Sequence, residues 1–295
     1  MKKLCAIIIG VALLSAFYAC QKDQLGVYNP KMKIGEIYSE SNGHYLQERW
    51  IWEGDNLSRI NFYKKNGDLN YTQNYIYDGH RVVRIETDDM HSEFSYDGKM
   101  LSEIKTYSGD ELLDTYVFSY EKDKLSHISV NQHSKSTTVS HFLSSFIPGY
   151  ELFMDEESRY AEEKGGTYDF YSAEIDFSWM EDDIQHMKAT LTLQNTVRHW
   201  MFTYVYDENF NPKYNFLSMS VGQQLLSENP VNLFFSKHNV TGIYVTDQDS
   251  PSSSSSTRSL TYSYDYYKKY PTKMYSTNLN YEHGVDSVLM YSFRY

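Results

Sequence analysis

Aromatic and aliphatic residues recur along the chain at fixed spacings. In the stretch FSYDGKMLSEI, Phe94 and Tyr96 stand two residues apart, and Leu101 and Ile104 follow five and eight residues after the second aromatic. Counted from that second aromatic, the positions are −2, 0, +5 and +8, and five stretches keep all four. They are WIWEGDNLSRI (50–60), YIYDGHRVVRI (75–85), FSYDGKMLSEI (94–104), FSYEKDKLSHI (118–128) and FSWMEDDIQHM (177–187). Such regularity indicates a repeated supersecondary unit, so the repeat is mostly scaffold.

Each stretch predicts a β-hairpin. Residues two apart share one face of a strand, so each aromatic pair marks one face near the end of a strand. Asp78-Gly79 and Asp97-Gly98 supply the positive φ angles that tight hairpin turns require, whereas Glu-Lys-Asp and Glu-Asp-Asp elsewhere predict longer turns. Positions +5 and +8 are an odd number apart. They therefore face opposite sides of the sheet unless a bulge intervenes, and the sequence leaves both alternatives open.

The spacing of the hairpins predicts the fold class. Two further stretches, around Tyr206 and Tyr264, keep the aromatic pair but lose the aliphatic positions. Short turns joining about 14 strands predict an all-β fold, an antiparallel up-and-down meander. A meander of this length must protect its edges by closing or curling, so we expect it to be barrel-like or strongly curved.

The chain divides into a leader, a tether and one β domain. We assign residues 1–19 to a lipoprotein signal peptide, 20–33 to a lipid-anchored tether and 34–295 to a single β domain, since no Pro- or Gly-rich linker divides it. Two stretches break the alternation. Residues 131–166 are predicted to form a long loop or insertion, and residues 249–259 a serine-rich loop.

The N-terminus predicts export and lipidation. A short basic start precedes 16 mostly apolar residues that end at Cys20, which is a secretory signal too short for a spanning helix. The "FYAC" stretch resembles a bacterial lipobox, in which the peptidase cuts before the cysteine and the thiol carries diacylglycerol. The alternative is an ordinary signal with a chance cysteine. The following "QKDQ" resembles a surface-export signal, which favours the cell surface over the periplasmic face of the outer membrane.

The net charge and the cysteine content limit the kinds of partner that we expect the protein to bind. The formal net charge is −12 and no basic block is present, so nucleic acid is not an expected partner. Of the two cysteines, Cys5 leaves with the signal and Cys20 would be acylated, so no thiol remains for a disulfide or a metal. The expected partners are the membrane, through the N-terminal lipid, and a glycan or a protein.

Few residues in the sequence indicate a catalytic, binding or modification site. No catalytic motif stands out, and we predict no enzyme, no cofactor and no metal site. Trp50 and Trp200 are the candidate ligand-binding residues, since exposed aromatics mark interfaces and stack on sugar rings, although rings that fill a barrel interior are the alternative. The tripeptide around Ser287 resembles a bacterial O-glycosylation acceptor, although a chance match is the alternative.

The aromatic-pair hairpins carry a family resemblance. Stretches such as YIYD and YSYD are similar to the YD repeats of RHS-type shells, and the chain from about residue 40 onward looks like an uncharacterised Bacteroidota lipoprotein family with a porin-like β fold. The resemblance implies a barrel-like fold and an extracytoplasmic location, and no activity. We therefore expect a cell-envelope lipoprotein that acts as a non-catalytic binding module for glycan, peptide or an envelope protein. The alternatives are an assembly subunit of an envelope complex, a membrane-spanning barrel and a hydrolase.

Overall fold

The described residues form sixteen antiparallel strands in a computed structural model. The residues described are 25–41, 43–133, 170–193, 196–219, 235–249, 258–280 and 284–295. The strands are β1 (Glu36–Ser39), β2 (Tyr45–Glu53), β3 (Asn56–Tyr63), β4 (Leu69–Asp78), β5 (Arg81–Glu86), β6 (Met90–Asp97), β7 (Met100–Ser108), β8 (Glu111–Glu121), β9 (Lys124–Gln132), β10 (Phe170–Met180), β11 (Asp183–Leu193), β12 (Thr196–Phe210), β13 (His238–Asp247), β14 (Arg258–Tyr267), β15 (Tyr270–Asn280) and β16 (Gly284–Arg294). The predicted signal peptide, most of the loop 131–166 and most of the loop 249–259 lie outside the described residues.

The strands close into one barrel. Each strand pairs with the next along the chain, and β1 pairs with β16 through Ile37 and Phe293. The prediction of an all-β, barrel-like meander is confirmed, with 16 strands where about 14 were expected. Strand β1 has four residues and no aromatic pair, so the repeat gives no signal for it. Closure removes the exposed edges that a long meander would otherwise leave.

A β-bulge places all four repeat positions on the inner face. In the third stretch Tyr96 pairs with Leu101 and Ser95 pairs with Glu103, so Ser102 is an extra residue on its strand. The hydroxyl of Ser102 donates to the carbonyl of Ser95 across the bulge, at 3.0 Å. The register shifts at the equivalent point in all five stretches. Positions +5 and +8 therefore both face the interior, which settles the alternative that the sequence left open.

Two turns without glycine are as tight as those with glycine. Lys122 and Asp123 alone connect β8 to β9, with φ angles of 50° and 67°. Glu181 and Asp182 alone connect β10 to β11, and Glu181 has a φ of 52°. The expectation of longer turns at these places is wrong. The twist of paired strands demands positive φ in a two-residue turn, and these residues adopt it despite the strain.

In six of the seven stretches, the aromatic at position 0 ties its hairpin to the segment before it. Its polar tip donates a hydrogen bond to a backbone carbonyl of the preceding unit, at position +5 wherever that unit has one. The bonds run from Trp52 Nε1 to Ile34 (2.8 Å), Tyr96 Oη to Val82 (2.6 Å), Tyr120 Oη to Leu101 (2.8 Å), Trp179 Nε1 to Leu125 (2.6 Å), Tyr206 Oη to Ile184 (2.6 Å) and Tyr264 Oη to Val240 (2.7 Å). Tyr77 is the exception, because its buried hydroxyl forms no such hydrogen bond among the described residues. Buried carbonyls need partners, and this ladder supplies them where neighbouring hairpins separate.

The outer wall carries charged side chains in ion pairs. Glu36 lies between Arg49 and Arg294 across the closing seam, with nitrogen–oxygen distances of 3.1 and 3.5 Å. Further outward pairs join Arg84 to Glu93 and His127 to Glu174 and Asp176. In the described ranges, no helix has the length and hydropathy needed to traverse a bilayer.

Candidate functional site

A strap formed by residues 25–34 lies across one end of the barrel. This end, here the turn end, carries the turns at Gly54, Gly79 and Gly98. The strap is fixed there because its Gly26 carbonyl accepts a hydrogen bond from the Val82 amide at 3.0 Å. Leu25, Tyr28 and Ile34 of the strap are buried in the core. Residues 25–33, assigned to a tether from the sequence, are therefore packed against the barrel in this structure.

A second segment enters the barrel from the same end. This plug, residues 211–219, lies between β12 and β13 and buries Phe216, Leu217 and Met219 in the core. Tyr28 of the strap donates its hydroxyl proton to the carbonyl of Pro212 at 2.6 Å, which joins the strap to the plug. Strap and plug thus fill the turn end together.

Polar side chains on the inner wall hold the far end of the plug. Gln73 Nε2 donates to the carbonyl of Met219, and its Oε1 accepts from the hydroxyl of Ser218 at 3.1 Å. The hydroxyl of Ser92 lies 3.1 Å from the sulfur of Met219. The amide nitrogen of Gln73 and the carbonyl of Met219 are paired in this way inside the barrel, whereas the Ser92 hydroxyl also pairs with Thr106 at 3.0 Å.

An ion pair is buried where the plug enters. Lys213 Nζ lies 3.9 Å from Glu48 Oε1, and the two side chains are 8% and 6% exposed. Trp50 Nε1 donates to the other oxygen of Glu48 at 2.8 Å. Burial lowers the pKa of Lys213, because removing the ammonium from water disfavours its charged form, and the carboxylate of Glu48 opposes this shift. The pair fixes the plug against β2.

A cavity remains at the turn end between the strap, the plug and the turns. Its volume is about 620 Å³, within the range of small-ligand sites. The strap contributes Lys31, the turns contribute Asp78 and Lys99, and the plug contributes Tyr214. The cavity is thus built from segments far apart in sequence. Sequence reasoning missed it because no local pattern marks a surface assembled in this way.

Positive charge predominates around the cavity. Among the described residues, four cations and one carboxylate line it, namely Lys31, Arg81, Lys99, Lys237 and Asp78. Arg81 is held in place, since its Nη1 donates to the Gly98 carbonyl at 2.9 Å and its guanidinium lies 5.5 Å from the centre of the Tyr96 ring. Lys237 pairs with Asp182 at 2.8 Å.

An aromatic pair forms another part of the wall. The rings of Phe210 and Tyr270 have centres 5.6 Å apart and both line the cavity. Lys31 and Lys269 each place Nζ 5.9 Å from the centre of the Phe210 ring. The wall therefore combines cations with aromatic surface, an arrangement suited to an anionic ligand that also has apolar faces.

The residues singled out from the sequence lie elsewhere. Trp50 and Trp200 are 4% and 1% exposed, so neither indole forms an exposed stacking surface in this structure. Ligand binding by these two residues stays a prediction. Ser287 is exposed on β16, opposite Thr277, and its glycosylation also stays a prediction. Cys20 lies outside the described residues.

Among the residues that the structure describes, no three or more His, Cys, Asp or Glu side chains converge in a way that could hold a metal ion. The histidines there are engaged in pairs instead. His127, for example, contacts Asp176 through Nδ1 at 2.7 Å and Glu174 through Nε2 at 2.8 Å.

Comparison with solved structures relates the barrel to other β proteins. A porin-like protein from Bacteroides vulgatus ATCC 8482 superposes with a TM-score of 0.50 at 11% identity, over 89% of this chain and 98% of its own. A porin-like protein from Bacteroides uniformis ATCC 8492 gives a TM-score of 0.46 at 12% identity, over 90% and 99%. No family model and no curated protein sequence matches the chain. The similarity therefore concerns the fold alone.

Proposed function

We propose that the chain is an outer-membrane lipoprotein, anchored through Cys20, that acts as a non-catalytic binding module with its site in the cavity at the turn end. The N-terminal signal and the lipobox-like "FYAC" support the anchor. Several acyl chains on one cysteine anchor a protein stably, whereas a single chain does not. The expected location is the cell surface.

The charged side chains of the outer wall support a barrel whose outer face is exposed to water and not to lipid. A barrel that spans a bilayer presents a continuous apolar band to the lipid. Here the wall carries Arg84 paired with Glu93, and Glu36 paired with Arg49 and Arg294. Charged side chains at mid-membrane depth destabilise such barrels by about 2–4 kcal/mol each for Arg.

The cavity carries the proposal of binding. It is large enough for a small ligand, and strap and plug are fixed to each other by the bond between Tyr28 and Pro212. A site formed by segments that are already packed loses little conformational entropy when a ligand binds.

A thermal-shift screen of the full chain in a neutral detergent tests this function. A ligand that binds only the folded state raises the Tm in proportion to the logarithm of its concentration above Kd. The panel contains neutral glycans, acidic glycans and peptides. Asn29 lines the cavity, so Asn29→Trp should fill it and abolish a shift, whereas Ser95→Trp on the outer wall should preserve it. A shift that survives Asn29→Trp would place the site elsewhere, and no shift at all would favour a protein partner.

A further inference from the structure

We infer that the cavity at the turn end selects anionic ligands, namely small molecules that bear carboxylate or phosphate groups. This inference rests on the proposed function, because it names the ligand class of the same site. It starts from the contrast between the cavity and the rest of the molecule. The chain has a net charge of −12, yet cations outnumber carboxylates around this cavity.

Cations still outnumber carboxylates around the cavity after the ion pairs are counted. Asp182 neutralises Lys237 at 2.8 Å, and Asp78 is the single carboxylate among the described residues that line the cavity. Lys31, Arg81 and Lys99 remain as cations against Asp78. Within the described residues, Lys99 has no hydrogen bond or ion pair, and Lys31 contacts the Phe210 ring. An anion would therefore find cations that no carboxylate in the described part of the chain has already paired with.

The fixed and the free cations have different roles. Arg81 is positioned by Gly98 and Tyr96 before any ligand arrives, so its guanidinium offers a preorganised donor group. Lys31 and Lys99 are exposed and act as flexible point charges that adapt to the shape of the ligand. A concave wall on which positive charge predominates also concentrates the field and raises the association rate of anions.

The aromatic wall favours an anion with an apolar face over a bare ion. Phe210 is partly exposed in the lining, with the buried Tyr270 beside it, and the exposed ring surface suits stacking of a sugar ring. An acidic sugar supplies a carboxylate and an apolar ring face in one molecule. A sugar phosphate supplies the same combination with a different acid group, so both sources fit the chemistry.

Titration calorimetry of the full chain in neutral detergent tests the inference. The probes are a uronic-acid disaccharide, the matching neutral disaccharide, glucose 1-phosphate and inorganic phosphate. The expected result is binding of the uronate or the sugar phosphate at least tenfold tighter than that of the neutral disaccharide, with an affinity that falls as salt rises. Which of the two acids binds more tightly identifies the source of the anion.

Charge reversal supplies the matched controls. The double variant Lys31→Glu and Lys99→Glu should weaken anion binding at least tenfold. Lys65→Glu makes the same kind of charge change in the turn between β3 and β4, at the opposite end of the barrel, and should leave the affinity within twofold.

Equal binding of neutral and acidic disaccharides, abolished by Asn29→Trp, would overturn the anion inference and leave the binding function standing. Anion binding that the double reversal does not weaken would overturn the inference as well. No binding of any probe would remove support from both.

Discussion

Lys213 of the plug and Glu48 of β2 form an ion pair in the barrel interior, with 3.9 Å between Nζ and Oε1 and both side chains nearly inaccessible to water. Desolvation of two charges is costly, so the pair adds little by itself, but each charge depends on the other. A stable barrel therefore requires the plug to be docked, because only then is Glu48 paired with Lys213.

Removal of one partner should be strongly destabilising. Glu48→Gln leaves the ammonium of Lys213 buried without its counter-ion, and we expect a loss of about 3–5 kcal/mol in the free energy of unfolding. Glu36→Gln is the matched control on the outer wall, where the exposed pairs with Arg49 and Arg294 contribute about 1 kcal/mol or less. Urea unfolding monitored by tryptophan fluorescence measures both. Equal losses would show that Glu48 is not buried with a charged partner.

The hydrogen-bond ladder should respond to loss of one hydroxyl. Tyr96→Phe leaves the carbonyl of Val82 without the bond seen at 2.6 Å, and we expect a loss of about 1–3 kcal/mol. Tyr107→Phe serves as the control, because Tyr107 lies on the outer wall and stacks on His91. Its loss should stay below about 0.5 kcal/mol. If thermal unfolding gives the same Tm for the two variants, the ladder does not stabilise the barrel.

Alkaline pH should unfold the protein cooperatively. Burial raises the pKa of Tyr96, Tyr120, Tyr206 and Tyr264 above the value near 10 for a free phenol. Unfolded tyrosines then lose protons that folded ones keep, so stability is fully present below pH 10 and falls as pH rises above it. Each such tyrosine lowers stability by about 1.4 kcal/mol per pH unit in this window. Absorbance at 295 nm and circular dichroism should change together. Tyrosine ionisation at a lower pH than unfolding would contradict the prediction that the two occur together.

A substitution in the strap should lower the stability of the protein, because the strap packs against the turn end. Gly26 has a φ of +84°, and a Cβ there would overlap the hydroxyl of Tyr96. Gly26→Ala should therefore destabilise the protein by more than about 1 kcal/mol. Gly109→Ala has a similar φ cost at +56° but no neighbouring atom to displace, so it separates backbone strain from overlap. A Tm no lower for Gly26→Ala than for Gly109→Ala would mean that the strap is not docked.

Acylation should depend on one of the two cysteines. Cells that express the full chain and are fed an alkyne fatty acid should label it, and Cys20→Ser should abolish the label. Cys5→Ser is the matched control, since Cys5 lies in the predicted signal peptide and should leave labelling intact. A label that survives Cys20→Ser would exclude this cysteine as the lipid attachment site.

The repeat made the hairpins and the barrel-like meander predictable from the sequence. The four spaced positions report which residues face inward, and Asp-Gly dipeptides report the turns. The bulge was not predictable, because the extra residue, for example Ser102, is an ordinary serine whose role depends on the register of the opposite strand. Lys122 and Asp123 likewise form a tight turn for which the sequence gives no glycine.

The sequence contains a weak signal of the plug. Four residues before the second aromatic, the inward position is polar in three stretches, as Glu48, Gln73 and Ser92, but Tyr116 and Ile175 in the others. Polar groups on one side of a barrel interior require partners, so an inserted segment was implied there. Which segment enters was not implied, because residues 211–219 are far from β2 to β6 in sequence. The cavity depends on that docking and was therefore beyond sequence reasoning.

If Cys20 carries the proposed lipid, the docked strap limits how the barrel is oriented on the membrane. Leu25 is buried in the core and lies five residues after Cys20, and five residues of extended chain span at most about 18 Å. With the lipid on Cys20, the barrel would stand with its turn end toward the bilayer and little freedom to tumble. The cavity lies at that end, so it would be on the membrane-facing side of the barrel, and a ligand would have to reach it through the space between the barrel and the bilayer.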